Sequence, residues 1–138
     1  MDNGVLLDTC AAIWFVNADP MSSESRKAIR RAQVKAWGVY VSPISAWEIG
    51  ALVARGKLQL SLTPEAWFAG ILALPGTRLA EMTPKVLIAS AFLPGVPPKD
   101  PADRILAATA REYDLTIITR NGGLLTYSKA GHVKAICC

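Results

Sequence analysis

The run Val5-Leu6-Leu7-Asp8-Thr9 decides how the rest of the chain is read. Three apolar residues without polar alternation fit a strand buried on both faces, the mark of a central strand in a parallel sheet. The run stops at an acid, which places a carboxylate at the carboxyl end of the strand, on the rim. Outward from it, Ala11 to Val16 reads as a first helix and Ser22 to Ala36 as a second. The second is capped by Ser22 or Ser23 and studded with Arg26, Lys27, Arg30, Arg31 and Lys35. Val39-Tyr40-Val41 is a second short strand, and Thr77 to Met82, Thr116 to Ile118 and Val133 to Ile136 are further ones.

Between these strands lie helices that share one opening device. Ser42-Pro43, Thr63-Pro64, Thr83-Pro84 and Asp100-Pro101 each set a capping residue before a proline. The cap oxygen satisfies free backbone N–H groups, and the fixed φ of proline suits the first helical position. Strands alternating with helices predict an α/β sandwich around a mainly parallel sheet. No linker, repeat or low-complexity stretch interrupts residues 1–138, which reads as one domain.

Hydrophobic residues make up 51% and charged residues 19% of the 138, a globular balance that excludes a disordered chain. The net charge of +4 suits a polyanionic partner without identifying one. The start, Met1-Asp2-Asn3-Gly4, lacks the positive charge of a secretory leader, and the apolar stretches Ala66 to Leu74 and Val86 to Val96 are too short or too broken to span a bilayer. A soluble, cytoplasmic protein is expected, not a membrane one. Cys10, Cys137 and Cys138 form no C-x-x-C spacing and read as free thiols, Cys10 as a small buried hydrophobe on a helix rather than a nucleophile. Trp14, Trp37, Trp47 and Trp67 are expected mostly in the core. His132 is the only histidine, which excludes His-rich zinc chemistry, and a surface role is expected for it.

The remaining chemistry is carried by acids. Asp8 is followed by Thr9, so it serves equally as a helix cap or as a metal ligand. Glu48 stands three residues after Ser45, the spacing of a capping box, but the stronger start at Ser42-Pro43 moves it to the second turn, between apolar Trp47 and Ile49. An acid beside an apolar surface needs a partner, and a cation is one. Asp100 and Asp103 share a first turn, where one can cap and both suit the helix dipole, yet they repel unless a cation or Arg104 intervenes. Hard divalent cations are held by a few such carboxylates together with water and substrate phosphate.

The stretches Leu6-Leu7-Asp8-Thr9, Val41-Ser42-Pro43-Ile44-Ser45-Ala46-Trp47-Glu48-Ile49 and Asp100-Pro101-Ala102-Asp103-Arg104-Ile105-Leu106-Ala107-Ala108-Thr109-Ala110 resemble the motifs of PIN-domain nucleases, and more narrowly of VapC-type toxins of bacterial type II toxin–antitoxin systems. Leu93-Pro94-Gly95, Ile117-Ile118-Thr119-Arg120 and Gly131-His132-Val133 extend the likeness over nearly the whole chain. The resemblance implies a PIN-like three-layer sandwich and a Mg²⁺- or Mn²⁺-dependent endoribonuclease. It also implies an RNA substrate, a cognate antitoxin and a homodimer. Asp8, Glu48 and Asp103 match the family's acids, Asp8 and Asp103 being metal ligands; Asp103 is preferred over Asp100 because it directly precedes the apolar helix. Asp100 then keeps a capping role, and Thr9 and Ser45 match small polar positions flanking the acids.

One position departs. Where the family commonly carries a fourth acid after Thr119-Arg120, this chain has Asn121, which puts a second metal in doubt. A degenerate PIN module that binds RNA or a protein without cutting is the alternative. Arg104 and Arg120 are read either as phosphate contacts and charge balance or as surface ion pairs, and the basic helix as an RNA track or, preferably, a solvated face. A haloacid-dehalogenase-like phosphoryl acceptor fails on sequence, since its second aspartate would fall at Cys10.

Overall fold

The computed structural model describes residues 3–138. Its strands are β1 (Val5–Leu7), β2 (Val39–Val41), β3 (Thr77–Leu79), β4 (Thr116–Thr119) and β5 (Lys134–Cys137). They form one sheet in the order β3-β2-β1-β4-β5, with each neighbouring pair parallel. β1 is central, with Leu6 opposite Tyr40 on one side and Ile117 on the other. All three of its residues are buried, as its unbroken apolar run requires.

Successive side chains of a strand point to opposite faces, and this divides the core in two. Val5, Leu7, Val39, Val41 and Ile118 face one layer, made by α1 (Thr9–Asn17), α2 (Ser23–Val34), α3 (Pro43–Ala54) and α4 (Pro64–Leu72). There they meet Ala11, Ala12, Ile29, Ala32, Ile49, Trp67 and Ile71. Leu6 and Ile117 face the other layer, where α6 (Pro101–Tyr113) and α7 (Gly122–Lys129) supply Leu106, Ala107, Ala110, Leu124 and Tyr127. α5 (Pro84–Ala91) packs on α6. The result is the expected three-layer α/β sandwich. Among the described residues no helix is long and apolar enough to cross a membrane.

All four helices announced by a cap and a proline begin where the chemistry places them. Ser42, Thr63, Thr83 and Asp100 are the N-caps, each accepting a backbone N–H from its own first turn. Ser22 caps α2. Other boundaries move. The first helix opens at Thr9 rather than Ala11 because Asp8 is its cap, α2 ends at Val34, and β3 is shorter than Thr77 to Met82. α7 has no counterpart in the sequence reading, since Gly122-Gly123 at its start is poor helix sequence. The cap on Asn121 and burial of Leu124 and Tyr127 override that propensity.

Three side-chain expectations are corrected. Cys10 is exposed, because α1 turns that position toward the rim and buries Thr9, Ala11 and Ala12 instead. Of the four tryptophans only Trp67 is buried; Trp14 and Trp37 are half-buried against the core and Trp47 is 64% exposed. His132 is half-buried, its ring 4.8 Å from that of Tyr127.

Candidate active site

The chain leaves β1 toward β2 and β3 on one side, then returns to the other side of β1 for β4. The carboxyl ends of β1 and β4 therefore flank the point where the strand order switches, the usual place for a ligand in an open parallel sheet. Asp8 follows β1 there, and Thr119, Arg120 and Asn121 end and follow β4. The second turn of α3, with Glu48, and the first turn of α6, with Asp103, face the same place. Together Asp8, Thr9, Cys10, Trp14, Glu48, Asp100, Asp103, Leu106, Arg120 and Asn121 line one cavity of about 450 Å³.

Asp8 is the most constrained of the acids. It is 7% exposed and caps α1, with Ala11 N donating to Oδ1 at 2.7 Å. Thr119 Oγ1 donates to its other oxygen at 2.5 Å. The same hydroxyl accepts Asn121 N at 2.9 Å, so one buried threonine ties the acid of β1 to the loop after β4. Asp8 is thus the cap of α1 through Oδ1, and its carboxylate also lines the cavity.

Glu48 is half-buried and does not close a capping box; Ser42 caps α3 instead, through Ile44 N. Thr9 Oγ1 lies within hydrogen-bonding distance of both Ser45 Oγ, at 3.0 Å, and Glu48 Oε1. Thr9 and Ser45 are buried, and they hold Glu48 on the cavity side of its helix. On α6, Asp100 is the exposed cap, accepting Asp103 N at 3.1 Å, while Asp103 is half-buried. Asn121 Nδ2 donates to Asp103 Oδ2 at 3.1 Å.

Crowding these groups has an electrostatic signature. Burial raises the pKa of Asp8, against the lowering pull of Thr119 and Ala11 N. Burial also raises that of Glu48, reinforced by Asp100 and Asp8 and opposed by Thr9. Asp103 is pushed from 3.8 to about 6, first by burial and then by the charges of Asp100, Glu48 and Asp8, with Asn121 opposing. The Cys10 thiol is pushed up by burial and by Asp8, Glu48 and Asp103, which disfavours the thiolate a nucleophile needs.

Both arginines are accounted for differently from a plain ion pair. Arg104 turns away from the cavity and donates to Ser90 O at 2.9 Å, Ala91 O at 3.3 Å and Pro98 O at 3.1 Å. It satisfies carbonyls left open at the end of α5, so its reading as a phosphate contact or a balance for the acids is corrected. Arg120 stays at the cavity. Its guanidinium lies 4.0 Å above the Trp14 ring and donates to Cys138 O at 3.0 Å. Thr119 and Trp14 are the site positions that sequence reasoning misses. The Thr119-Arg120-Asn121 order carries the only signal for the first.

Among the described residues no group of three or more His, Cys, Asp or Glu side chains closes into a metal cage. The donor chemistry nevertheless fits a hard divalent cation. Mg²⁺ needs only one or two carboxylates beside water and substrate oxygens, and this cavity offers several carboxylates whose mutual repulsion a cation would relieve.

Comparison with known proteins agrees with this architecture. The PIN domain family model matches residues 5–129. The chain is 31% identical over 125 residues to Ribonuclease VapC22 of Mycobacterium tuberculosis, covering 89% of this chain and 91% of that protein. The fold is similar to VapBC2 from Rickettsia felis bound to a DNA fragment from their promoter, with TM-score 0.65, 12% identity, and 97% and 98% of the two chains covered. FitAB bound to an IR36 DNA fragment is similar at TM-score 0.63, 24% identity, and 96% and 94% coverage. With its central parallel sheet, its acids at the β1–β4 switch and the match across most of its length, the chain belongs to the PIN domain family.

Proposed function

We propose that the protein is a metal-dependent endoribonuclease and the toxin of a toxin–antitoxin pair. The observation that carries this reading is the convergence of Asp8, Glu48 and Asp103 on one open cavity at the switch point of the sheet. Similarity to a ribonuclease over most of the chain supports the substrate class. Asp8 and Asp103 would hold a Mg²⁺ or Mn²⁺ ion. When bound, such an ion activates water and offsets charge on the phosphoryl oxygens.

The chain's own residues do the positioning. Thr119 and Ala11 N orient Asp8, Thr9 aims Glu48 into the cavity, and Asn121 fixes the carboxylate plane of Asp103. Glu48, with its raised pKa, is suited to accept a proton from the attacking water. Arg120, stacked on Trp14, stands where a substrate phosphate would enter. No observation favours a binding-only module.

A cognate antitoxin and a second copy of the chain are the partners this reading brings. Exposed apolar side chains are present for them: Trp47 beside Glu48 on α3, and Ile88, Phe92 and Val96 on and after α5. On this reading the protein acts in the cytoplasm as a single domain. The deciding experiment is RNA cleavage titrated with Mg²⁺ and Mn²⁺, with Asp8→Asn, Glu48→Gln and Asp103→Asn in parallel. Each substitution should lower the rate by at least about 100-fold. Cleavage that persists without added metal, or at full rate in all three variants, would sink the reading.

A further inference from the structure

The cationic face of α2 is unexplained by the site or the core. Arg26, Lys27, Arg30, Arg31 and Lys35 are all exposed, while Ser25, Ile29 and Ala32 are the buried positions. Glu24 is the one acid within the helix. The spacing sets Arg26 against Arg30, Lys27 against Arg31 and Arg31 against Lys35, three like-charge pairs at i and i+4, each of which opposes helix formation. Near the C-terminus Arg31 and Lys35 gain from the helix dipole, and Arg31 also lies 5.7 Å from the Trp37 ring. Arg26 and Lys27 stand near the positive end of the dipole and Arg30 lies short of the last turn, so none of the three gains from it.

The face is also joined to the cavity. Ser22, the cap of α2, donates from Oγ to Cys137 O at 2.8 Å and from N to Cys138 O at 3.2 Å. Arg120, which lines the cavity, donates to that same Cys138 O. α2 therefore starts at the rim of the site and leads away from it over 12 residues, about 18 Å. Near its far end Lys27, Arg30, Arg31 and Lys35 surround Val34, which is 73% exposed, in a depression of about 270 Å³. A ring of cations around an apolar floor matches a nucleotide, with charge for the phosphates and a surface against which a base can lie.

We infer that the α2 face is a binding track for RNA, running from the Arg120–Trp14 corner of the cavity along Arg26, Lys27 and Arg30 to Val34. The inference rests on the nuclease reading above for the kind of polyanion bound. It assigns α2 to substrate affinity and leaves bond cleavage to the acids.

The test compares a mixed-sequence single-stranded oligoribonucleotide with a trinucleotide. Binding is measured in an Asp103→Asn background, where the long RNA stays intact. Adding Lys27→Glu with Arg30→Glu should raise the Kd for the long RNA about tenfold or more. It should also flatten the dependence of log K on log salt by about 0.7 for each phosphate that is no longer neutralised. Trinucleotide cleavage by the same pair in the active protein should keep its kcat. Lys27→Ala with Arg30→Ala should act in the same direction, more weakly, and decides the matter if charge reversal unfolds the helix by circular dichroism. Unchanged Kd and salt slope in the folded variants would overturn the track, as would α2-dependent binding to phosphatidylserine vesicles in preference to RNA. RNA held through α2 but never cut by the wild-type protein, at any Mg²⁺ or Mn²⁺ concentration, would overturn the nuclease reading alone and leave the track standing.

Discussion

Asn121 Nδ2 donates to Asp103 Oδ2 over 3.1 Å, and the orientation of that amide is set by the other end of the same side chain. Its Oδ1 accepts Leu124 N at 2.9 Å as the cap of α7, which leaves only the amino group for the acid. The chain thus meets Asp103 with a donor where an aspartate would meet it with a second negative charge. Asn121→Asp should keep the fold, since Asp caps a helix as well as Asn does. Without metal, the repulsion should lower the melting temperature by roughly 3–5 °C, the equivalent of ~1 kcal/mol. Added Mg²⁺ should restore it, and half-maximal cleavage should need less metal. Thermal melts and cleavage across a metal titration check both, and an unchanged metal requirement would count against a role for this position in cation binding.

Stability should depend on pH through Asp103. A carboxyl whose folded pKa lies above its unfolded one binds its proton more tightly when folded. Its ionisation therefore costs nothing below 3.8 and its full penalty above about 6. Metal-free protein should lose stability across that window, with Asp8 and Glu48 adding the same sign. Asp114, held down by Lys134, contributes oppositely, so the informative quantity is the difference from Asp103→Asn. The rise from 3.8 to about 6 corresponds to roughly 3 kcal/mol at full strength, which solvent screening reduces to about 1–2 kcal/mol. Urea unfolding in chelator from pH 4 to pH 8 should show the two proteins diverging by that amount, and parallel curves would refute the assignment.

Thr119 is predicted to be a positioning residue. Its buried hydroxyl both donates to Asp8 and accepts Asn121 N. Thr119→Val leaves each without that partner, at a cost of about 1–3 kcal/mol. Losing the donor should raise the pKa of Asp8 further and move the acid limb of the cleavage profile to higher pH. Thr119→Ser should recover both stability and profile. A valine variant with lower stability but an unmoved pH profile would reduce the threonine to a structural part.

Arg104 should behave as a structural clamp. Lysine cannot reproduce a fork that reaches the carbonyls of Ser90, Ala91 and Pro98 at once. Arg104→Lys should cost about 1–2 kcal/mol in denaturant unfolding. The metal needed for half-maximal cleavage should stay the same. A shifted metal requirement at unchanged stability would return Arg104 to the site.

Much of this molecule is legible in local chemistry. The apolar run Val5-Leu6-Leu7 can satisfy itself only as a strand covered on both sides, and each cap-proline pair fixes a helix start with groups a few residues apart. The rim positions of Asp8, Glu48 and Asp103 follow from those element boundaries together with the family resemblance. Which side chains meet across elements was decided by the tertiary structure alone. Asp8 and Thr119 lie 111 residues apart and Arg104 and Ser90 lie 14 apart, and no local periodicity encodes either pairing. The same holds for burial on α1, where packing against the sheet buries Ala11 and Ala12 and leaves Cys10 facing the cavity. Residue type and spacing state what a group can do. Only the packed sheet and helices determine which other group is near enough for it to do so.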